Sequence, residues 1–356
     1  MKALLYTPSL PRFFAARVLG KRFPTELLPL KLVDYPLPER PGFLRVKVRL
    51  SGVCGSDLGL LYGKNSPFLA PFFSFPAVLG HEILGEVGGT RVVVNPLLAC
   101  KDRGLPPCAR CREGEEGLCE NLAEGDLSPG ILGFNRDLPG GWGEYTLARP
   151  ERLFPVPDGV PDARAVLAEP LAVVLRGLGK LRPWPREVLI VGMGTIGLLA
   201  VRALRLLGYG GRIYALAKYP RQAELARAFG AEGVEAPQAK GRAYKAYGFT
   251  AYRGGYEAVI EASGSGKGFR QALAWVQEGG RVLLLGAPGV EVVDLSPLWF
   301  REVKLLGSYT YREEEFKGAV ELLKEAEGLE DLIGGIFPLE GWKEALAARG
   351  KALLRP

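Results

Sequence analysis

The sequence predicts an α/β protein in which a doubly wound parallel sheet is joined to a second, mainly β domain. Residues 1 to about 165 are rich in Pro, Gly and short apolar runs. From about residue 166, short β-branched runs alternate with helical segments, which is typical of a parallel sheet. With 356 residues, the chain is long enough for two domains, each with its own core.

The first half of the chain contains four strand candidates. Residues 44–50 alternate apolar and basic side chains, which is the period of a half-buried strand. Residues 1–6, 91–94 and 142–147 are further candidates. We therefore expect mainly β structure with many loops in this half.

In the second half, residues 188–191 (VLIV) form a β-branched run without alternation, as expected of a strand buried on both faces. Helical character follows at 198–207. The remaining candidates are strands at 212–217, 256–261 and 281–286 and helices at 220–229 and near 268–277, the first of which opens on Pro220, a residue suited to a first helical turn.

A GxGxxG motif, GMGTIG at 192–197, lies between the strand at 188–191 and the helix that follows. In this context Gly192 permits a tight turn, Gly194 lets the backbone approach a pyrophosphate, and Gly197 brings helix and strand close. The helix N-terminus, with Thr195 and Ile196, then faces the phosphates with free N–H groups. The motif predicts a Rossmann dinucleotide site; the alternative is a purely structural strand–turn–helix.

The end of the next strand predicts which cofactor is used. An NAD enzyme usually has an acidic residue there that binds the ribose 2′-hydroxyl, but Ala217 lies about where that acid is expected. Lys218 and Arg221 follow and would attract a 2′-phosphate. We expect NADP, or dual use of NADP and NAD leaning to NADP; the alternative is that these are ordinary solvated charges at a helix start.

The chain has a single histidine, His81, followed directly by Glu82. Cys54 lies upstream and Glu169 downstream. Imidazole, thiolate and carboxylate are the ligands that a catalytic zinc takes, with one position left for substrate. The alternative is a core histidine near a buried cysteine.

Four of the five cysteines, Cys100, Cys108, Cys111 and Cys119, fall within twenty residues. The spacing of the last three allows thiolates to converge on a tetrahedral zinc, with Cys100 as the fourth ligand across a longer loop. An odd number of cysteines and no recognisable signal peptide argue against a disulfide framework. We expect a structural zinc; the alternative is free buried thiols.

Composition excludes several classes of protein. The net charge of +7 is scattered, without a basic block, so no nucleic-acid partner is expected. No apolar run approaches the roughly 20 residues that cross a bilayer, so we expect no membrane partner and a cytoplasmic location. Only four Asn and four Gln occur among many charged residues, which favours a thermophilic source.

Taken in order, these motifs resemble those of zinc-containing medium-chain alcohol dehydrogenases over nearly the whole chain. The motifs are GVCGSD at 52–57, GHE at 80–82, the cysteines, GGWGEY at 140–145, EPLA at 169–172, the glycine fingerprint, EASG at 261–264 and GGRV at 279–282. The resemblance implies a GroES-like catalytic domain at 1–165, completed by 308–356, and a Rossmann domain at 166–307. It also implies a cleft between them for substrate and nicotinamide, and a homodimer or homotetramer.

The resemblance also assigns roles to single residues. It implies that Cys54 and His81 bind the catalytic zinc, and that Glu82 and Glu169 belong to the same site, as in sorbitol and glucose dehydrogenases; which carboxylate binds directly stays open. Zinc lowers the pKa of a bound alcohol, as it does that of water. Ser56 would carry the proton away. Many relatives continue that relay with a histidine where this chain has Gly59, so the outer proton path stays open.

The predicted function is zinc-dependent hydride transfer between a hydroxyl of an alcohol, polyol or sugar and NADP. The metal site favours polyols or sugars, whereas phenylalanines in 61–77, if they line the pocket and do not simply pack on their own domain, favour a hydrophobic substrate. Two alternatives remain: a zinc-free quinone or enoyl reductase of the same superfamily, and a non-enzymatic protein that binds zinc and nucleotide.

Overall fold

A computed structural model describes residues 1–233, 241–287 and 289–356. The chain divides into two compact units. Unit 1 consists of Met1–Glu169 and Tyr311–Pro356, and unit 2 of Pro170–Thr310.

The described residues form seventeen strands and eleven α-helices. The strands are β1 (Lys2–Tyr6), β2 (Leu30–Asp34), β3 (Leu44–Gly52), β4 (Ala77–Val78), β5 (Glu82–Val87), β6 (Thr90–Val94), β7 (Tyr145–Ala148), β8 (Leu153–Pro155), β9 (Glu187–Val191), β10 (Arg212–Leu216), β11 (Arg242–Ala246), β12 (Phe249–Arg253), β13 (Tyr256–Glu261), β14 (Val276–Leu284), β15 (Lys304–Gly307), β16 (Ile333–Pro338) and β17 (Lys351–Arg355). The helices are α1 (Leu10–Leu19), α2 (Gly55–Leu61), α3 (Ala109–Arg112), α4 (Asp162–Ala165), α5 (Ala168–Gly179), α6 (Thr195–Leu206), α7 (Pro220–Ala228), α8 (Gly266–Trp275), α9 (Ser296–Phe300), α10 (Glu313–Leu322) and α11 (Trp342–Ala347). Short 3₁₀ turns lie at Gly20–Arg22, Thr25–Leu27, Pro67–Phe72, Glu116–Leu118, Pro150–Arg152, Leu329–Leu332 and Leu339–Gly341.

Unit 1 is mainly β, as the sequence predicted. A small antiparallel sheet has the order β2-β1-β4, and a larger sheet has the order β16-β17-β3-β5-β6-β8, with β7 also paired to β3. In β3 the residues Val46, Val48 and Leu50 are buried while the basic residues between them are exposed, so the predicted alternation is confirmed. Val46 and Val48 pack into one apolar core with residues of β5 and β6.

Unit 2 contains a parallel sheet with the order β10-β9-β13-β14-β15. All five residues of β9 are buried, which explains the absence of alternation in its sequence. The chain leaves β9 through α6 to reach β10 on one side, whereas β13 lies on the other side of β9. The carboxyl end of β9 is therefore a topological switch point, where dinucleotides bind in such sheets.

The hairpin of β11 and β12 was not predicted. Its strands pair from Arg242 opposite Arg253 to Ala246 opposite Phe249, which leaves a two-residue turn at Tyr247 and Gly248. Both turn residues have positive φ, at 52° and 82°. Turns of this type usually carry Asn-Gly or Asp-Gly, so Tyr-Gly gave a poor sequence signal.

Two strands begin three or more residues away from the predicted start. Strand β7 begins at Tyr145, three residues after the predicted start. Trp142 lies before the strand, where its buried indole N–H donates a hydrogen bond to the carbonyl of Gly52 at 3.2 Å. Strand β14 begins at Val276, five residues before the predicted start. No helix among the described residues is long and apolar enough to cross a membrane.

Candidate metal and cofactor sites

Two neighbouring strand ends bring Cys54, His81 and Glu82 together in unit 1. Cys54 is the N-cap residue of α2 and follows β3, while Glu82 begins β5 and pairs with Gly52 across the ladder. His81 lies in the turn that leads into β5. One ligand atom from each of the three residues lies within 4.8 Å of the others. Thiolate, imidazole and carboxylate at this spacing are the donor set of a catalytic zinc.

The turn before His81 depends on Gly80. Its φ is +91°, a conformation that suits glycine, and a Cβ there would lie 2.3 Å from the ring of Trp142. The buried Trp142 therefore fixes the backbone on which His81 stands.

Asp57 is the charged neighbour of the Nδ1 atom of His81. The Nδ1 atom of His81 lies 3.4 Å from Oδ1 of Asp57, and the other carboxylate oxygen accepts a 2.8 Å hydrogen bond from the backbone N–H of Cys54. Burial lowers the pKa of His81, but the negative charges of Asp57 and Cys54 outweigh it and raise that pKa well above its usual value. A carboxylate on Nδ1 leaves Nε2 for a metal, as in many metal sites. The sequence prediction gave Asp57 no role.

Lys351 is a second residue that the prediction missed. Its ammonium forms an ion pair with the Glu82 carboxylate and donates a 3.2 Å hydrogen bond to the carbonyl of Val53. Gly52 makes room for this pair, since a Cβ there would lie 1.8 Å from Oε2 of Glu82. Burial lowers the pKa of Lys351, but the charge of Glu82 outweighs it and raises that pKa.

Glu82 has an unused buried oxygen. Within the described part of the chain, Oε1 of Glu82 is buried and has no hydrogen-bond partner. A buried carboxylate oxygen without a partner is costly, and a cation bound beside Cys54 and His81 would satisfy it. The residues present therefore fit a zinc ion.

Glu169, at the start of α5, is also buried but does not belong to the group of ligand atoms within 4.8 Å. Burial and the charge of Glu82 raise its pKa to about 7, against the opposing effects of His81, Lys351 and Tyr311. The structure thus places Glu169 in the electrostatic neighbourhood of the cluster and Glu82 in the cluster itself.

Ser56 stands beside the imidazole, with its Oγ 3.4 Å from Nε2 of His81. The space next to Gly59 is taken by Asn65, whose Oδ1 would lie 2.1 Å from a Cβ on residue 59. The side-chain amide of Asn65 donates a 3.3 Å hydrogen bond to the carbonyl of Ser56. A larger residue at position 59 would therefore displace Asn65.

The phenylalanines of residues 61–77 fall into two groups. Phe73 packs on Phe134, which in turn packs on the ring of His81 at 5.4 Å between ring centres. Phe68 and Phe72 are instead exposed. Part of this segment thus packs on its own unit, next to the metal cluster.

The four clustered cysteines also converge. Their Sγ atoms lie within 4.8 Å of one another, and none of the four forms a disulfide. Backbone N–H groups of Cys108, Cys111 and Glu120 and the amide of Asn121 donate hydrogen bonds to these sulfurs at 3.3–3.5 Å. Such bonds stabilise thiolates, so the residues present fit a closed four-cysteine zinc site.

Buried arginines fix the loop that carries these cysteines. Arg103 is completely buried and donates hydrogen bonds to the carbonyls of Leu98, Leu127 and Gly130 at 2.7–2.9 Å. Arg152 forms a buried ion pair with Asp102. These contacts add to the small apolar cluster of the loop, in which Ala99 packs with Cys100 and Cys119.

In unit 2 the three glycines of the fingerprint have separate structural reasons. Gly192 has a φ of +97°, and a Cβ on Gly197 would lie 1.9 Å from the carbonyl oxygen of Gly192. A Cβ on Gly194, by contrast, would meet nothing within 4 Å. Packing within unit 2 therefore requires the first and third glycines, and the second is free for the close approach of a ligand to the backbone.

The helix that follows, α6, starts with Thr195 and Ile196 and has no side-chain cap at its N-terminus. The last residue of β10 lies beside the fingerprint: the backbone N–H of Gly192 donates a hydrogen bond to the carbonyl of Leu216. Lys218, exposed just beyond that strand, has its ammonium 5.2 Å from the centre of the Tyr219 ring. Arg221 is exposed in the first turn of α7.

Two regions of the chain match known protein families. Residues 40–158 match the alcohol dehydrogenase GroES-like domain, and residues 195–325 match the zinc-binding dehydrogenase domain.

Individual proteins match over most of their length. The chain is 30% identical over 305 residues to an uncharacterized zinc-type alcohol dehydrogenase-like protein of Haemophilus influenzae, with 82% of each chain covered. It is 29% identical over 334 residues to the D-altritol 5-dehydrogenase of Agrobacterium fabrum, covering 88% of this chain and 89% of that protein. A solved structure from Sinorhizobium meliloti 1021, provisionally described as a zinc-binding dehydrogenase and bound to NADP, matches with a TM-score of 0.72 and 26% identity; the match covers 92% of this chain and 95% of that one.

Proposed function

Because this chain belongs to the zinc-type alcohol dehydrogenase family, we propose that it oxidises a hydroxyl group of an alcohol, polyol or sugar with NADP and binds zinc at the Cys54–His81–Glu82 cluster. The observation that carries this proposal is the convergence of these three ligand types on one buried point of unit 1. In the reaction a hydride leaves the carbinol carbon for the nicotinamide, and the hydroxyl proton leaves separately. The products are a carbonyl compound, NADPH and a proton.

Zinc bound by these residues would supply a Lewis acid that lowers the pKa of the substrate hydroxyl. Cys54, His81 and one carboxylate hold the metal. Asp57 holds the imidazole so that Nε2 faces the cluster. Of the two carboxylates, we propose Glu82 as the direct ligand, because one of its oxygens lies within the group of ligand atoms and its Oε1 has no hydrogen-bond partner among the described residues.

Ser56 would relay the hydroxyl proton: its Oγ accepts that proton while its own O–H proton passes to water. Its position 3.4 Å from Nε2 of His81 supports this role, since the substrate oxygen must lie close to the same ligand group. No second imidazole exists in the sequence to continue a relay. The side-chain amide of Asn65 donates a hydrogen bond to the carbonyl of Ser56 and would hold the first turn of α2, which carries Ser56, in place.

Unit 2 would bind the dinucleotide, with the pyrophosphate at Gly194 and the uncapped start of α6 formed by Thr195 and Ile196. We propose that Lys218 and Arg221 favour NADP over NAD through the 2′-phosphate. The open space at Gly194 and the absence of an acid at Ala217 support this assignment.

Unit 1 would be the catalytic domain, with the four-cysteine site holding a second, structural zinc. Two observations favour a polyol over a hydrophobic alcohol as the substrate. One is the similarity to a D-altritol 5-dehydrogenase, and the other is the carboxylate in the proposed metal site. We also propose a homodimer or homotetramer in the cytoplasm of a thermophile, which the family resemblance and the composition support.

A substrate screen tests the proposal. Primary and secondary alcohols, polyols, aldoses and threonine are each offered with NADP and with NAD, and zinc is counted by atomic spectroscopy. We expect two zinc ions per chain and NADP reduction that stops when a chelator removes the metal. Zinc-free protein that reduces a quinone or enoyl substrate would replace this proposal with that of a reductase.

A further inference from the structure

Glu261, the last residue of β13, has a completely buried carboxylate in unit 2. It accepts hydrogen bonds from the backbone N–H of Ser263 at 2.9 Å, from the Oγ of Ser263, and from the N–H of Gly264 at 3.3 Å. Both carboxylate oxygens therefore have a donor in the segment that follows, called here the β13–α8 loop (residues 262–265). A buried carboxylate is costly unless it is hydrogen-bonded, so the burial of Glu261 and the conformation of this loop depend on each other.

Two glycines make room for this carboxylate. A Cβ on Gly268 would lie 2.6 Å from Oε1 of Glu261, and a Cβ on Gly286 would lie 2.4 Å from Oε2. Gly268 belongs to α8, and Gly286 lies just beyond the end of β14. The carboxylate is thus confined between two elements of unit 2 and can serve as a fixed anchor for the loop.

Ser263 connects this anchor to the next helix. Its Oγ donates to Glu261, accepts a 3.3 Å hydrogen bond from the N–H of Ser265 and lies 2.8 Å from the Oγ of Ser265. Ser265 is the N-cap residue of α8, and its Oγ accepts a 3.0 Å hydrogen bond from the N–H of Gly268. The buried carboxylate, two serines and the start of α8 therefore form one connected network.

The β13–α8 loop lies against the first glycine of the fingerprint. A Cβ on Gly192 would lie 2.6–2.7 Å from the Cβ, Cα and N atoms of Ser263. The N–H of Ala262 donates a 2.9 Å hydrogen bond to the carbonyl of Val191, the last residue of β9. The loop is therefore at the carboxyl end of the sheet, next to the switch point, and the side chains of Ser263 and Ser265 are exposed there.

The order of the strands assigns this loop to one half of the dinucleotide site. In a doubly wound sheet each half binds one mononucleotide, and the adenosine ribose lies at the end of the second strand, here β10. Strand β13 lies on the other side of β9. The β13–α8 loop is therefore on the nicotinamide side, whereas Lys218 is on the adenosine side.

We infer that Glu261 is a positioning residue of the dinucleotide site: its buried carboxylate holds the β13–α8 loop in the conformation that contacts the nicotinamide half of the cofactor. The inference rests on the proposed function in one respect, the binding of the dinucleotide by unit 2. Glu261 acts through Ser263 and Gly264. The contact is common to NADP and NAD, since these differ only in the 2′-phosphate on the adenosine side.

The test compares the binding of a whole dinucleotide with that of its adenosine half. NADP and adenosine 2′,5′-bisphosphate, which lacks the nicotinamide half, are each titrated by calorimetry into zinc-loaded wild type, Glu261→Gln, Ser263→Ala and the double variant. Glu261→Gln keeps the shape of the side chain but replaces one acceptor oxygen with an NH₂ group, which cannot accept from the loop. Glu187→Gln is the matched control, because Glu187 is a buried carboxylate at the amino end of β9.

We expect Glu261→Gln and Ser263→Ala each to bind NADP about tenfold more weakly, because a hydrogen bond to a charged group contributes at least a factor of this size. The affinity for adenosine 2′,5′-bisphosphate should stay at the wild-type value. The double variant should bind NADP no more weakly than Glu261→Gln alone, since both changes break the same connection. Glu187→Gln should bind both ligands as the wild type does.

Wild-type NADP affinity in both Glu261→Gln and Ser263→Ala would overturn the inference. Equal losses of affinity for NADP and for adenosine 2′,5′-bisphosphate would overturn it as well, because they would show a general loss of structure in unit 2. Wild-type protein that binds neither NADP nor NAD would refute the proposed function together with the inference. If the wild type binds NADP but oxidises no alcohol, only the proposed function fails, and the titrations still decide the role of Glu261.

Discussion

The ammonium of Lys351 is paired with the carboxylate of Glu82 although the two side chains are only 3% and 1% exposed. The pair joins the last strand of the chain, β17, to the first residue of β5. Glu82 therefore has one charge partner, Lys351, and one oxygen, Oε1, without a hydrogen-bond partner among the described residues. This arrangement allows the carboxylate to bind a cation without leaving its lysine.

Replacement of Lys351 tests this arrangement. Lys351→Met leaves a buried carboxylate without its counter-charge, and breaking such a pair costs about 3–5 kcal/mol. We expect that loss in the free energy of unfolding of zinc-free protein, measured with urea. Added zinc should restore part of it, because the metal supplies the missing positive charge. Equal losses with and without zinc would show that Glu82 does not face the metal.

Asp57 should control metal affinity without touching the metal. Asp57→Asn weakens the interaction with Nδ1 of His81, and we expect zinc to bind the cluster about tenfold to a hundredfold more weakly. Competition with a chelator of known affinity measures the change. Asp294→Asn is the control, because that carboxylate caps an exposed turn in unit 2. Unchanged zinc affinity in Asp57→Asn would argue against His81 as a ligand through Nε2.

The second and third fingerprint glycines should respond differently to the same change. Gly194→Ala adds a methyl group into open space, so Tm should stay the same while NADP binds at least about tenfold more weakly. Gly197→Ala forces a Cβ to 1.9 Å from a carbonyl oxygen and should lower Tm. Thermal unfolding and NADP titration by fluorescence separate the two effects. Wild-type NADP affinity in Gly194→Ala would contradict the site.

Cofactor preference should depend on Lys218. Lys218→Ala removes a positive charge next to the proposed 2′-phosphate position, and we expect kcat/KM for NADP to fall about tenfold, which equals about 1.4 kcal/mol of binding energy. The value for NAD should not change, since NAD has no phosphate there. Lys245→Ala, on the exposed hairpin, serves as control. An equal fall for both cofactors would argue against 2′-phosphate recognition.

Low pH should lower the stability of unit 1 by protonating the carboxylate of Asp162. Burial raises the pKa of this carboxyl, but hydrogen bonds from Arg91 at 2.8 Å and Arg49 at 3.0 Å outweigh it and hold the pKa below its usual value. A carboxyl with a lowered native pKa stabilises the fold above its unfolded pKa and loses that effect as pH falls through the native one. The side chain is 28% exposed, so the contribution is about 0.2–1 kcal/mol.

Urea unfolding of wild type and Asp162→Asn between pH 7 and pH 3 measures this contribution. The difference between the two proteins should be constant near neutral pH and shrink toward zero in the acid range. A difference that stays the same down to pH 3 would contradict the role of the ion pairs.

The pattern of apolar residues predicted a strand well where the burial of that strand is recorded in its own sequence. Strand β3 alternates because one face packs in the core, and β9 does not alternate because both faces are buried. The turn of Tyr247 and Gly248 gave no clear sequence signal, because tyrosine rarely adopts the left-handed backbone conformation that Tyr247 has here.

The site was predictable only as far as its motifs reach. Cys54, His81 and Glu82 lie in short motifs, and the strand pairing of Glu82 with Gly52 brings those motifs together. Lys351 is nearly 270 residues away from Glu82 in sequence, and nothing in its own segment indicates a buried partner. Asp57 was inside a motif, but its contacts with Cys54 and His81 appear only once α2 is folded.

Zinc content and turnover of His81→Ala test the central claim most directly. We expect the wild-type protein to hold two zinc ions per chain and to reduce NADP with a polyol, and the variant to hold one zinc ion, to have no detectable turnover and to bind NADP as before. A variant that keeps both zinc ions and oxidises the same substrate at the wild-type rate would contradict the assignment of the cluster.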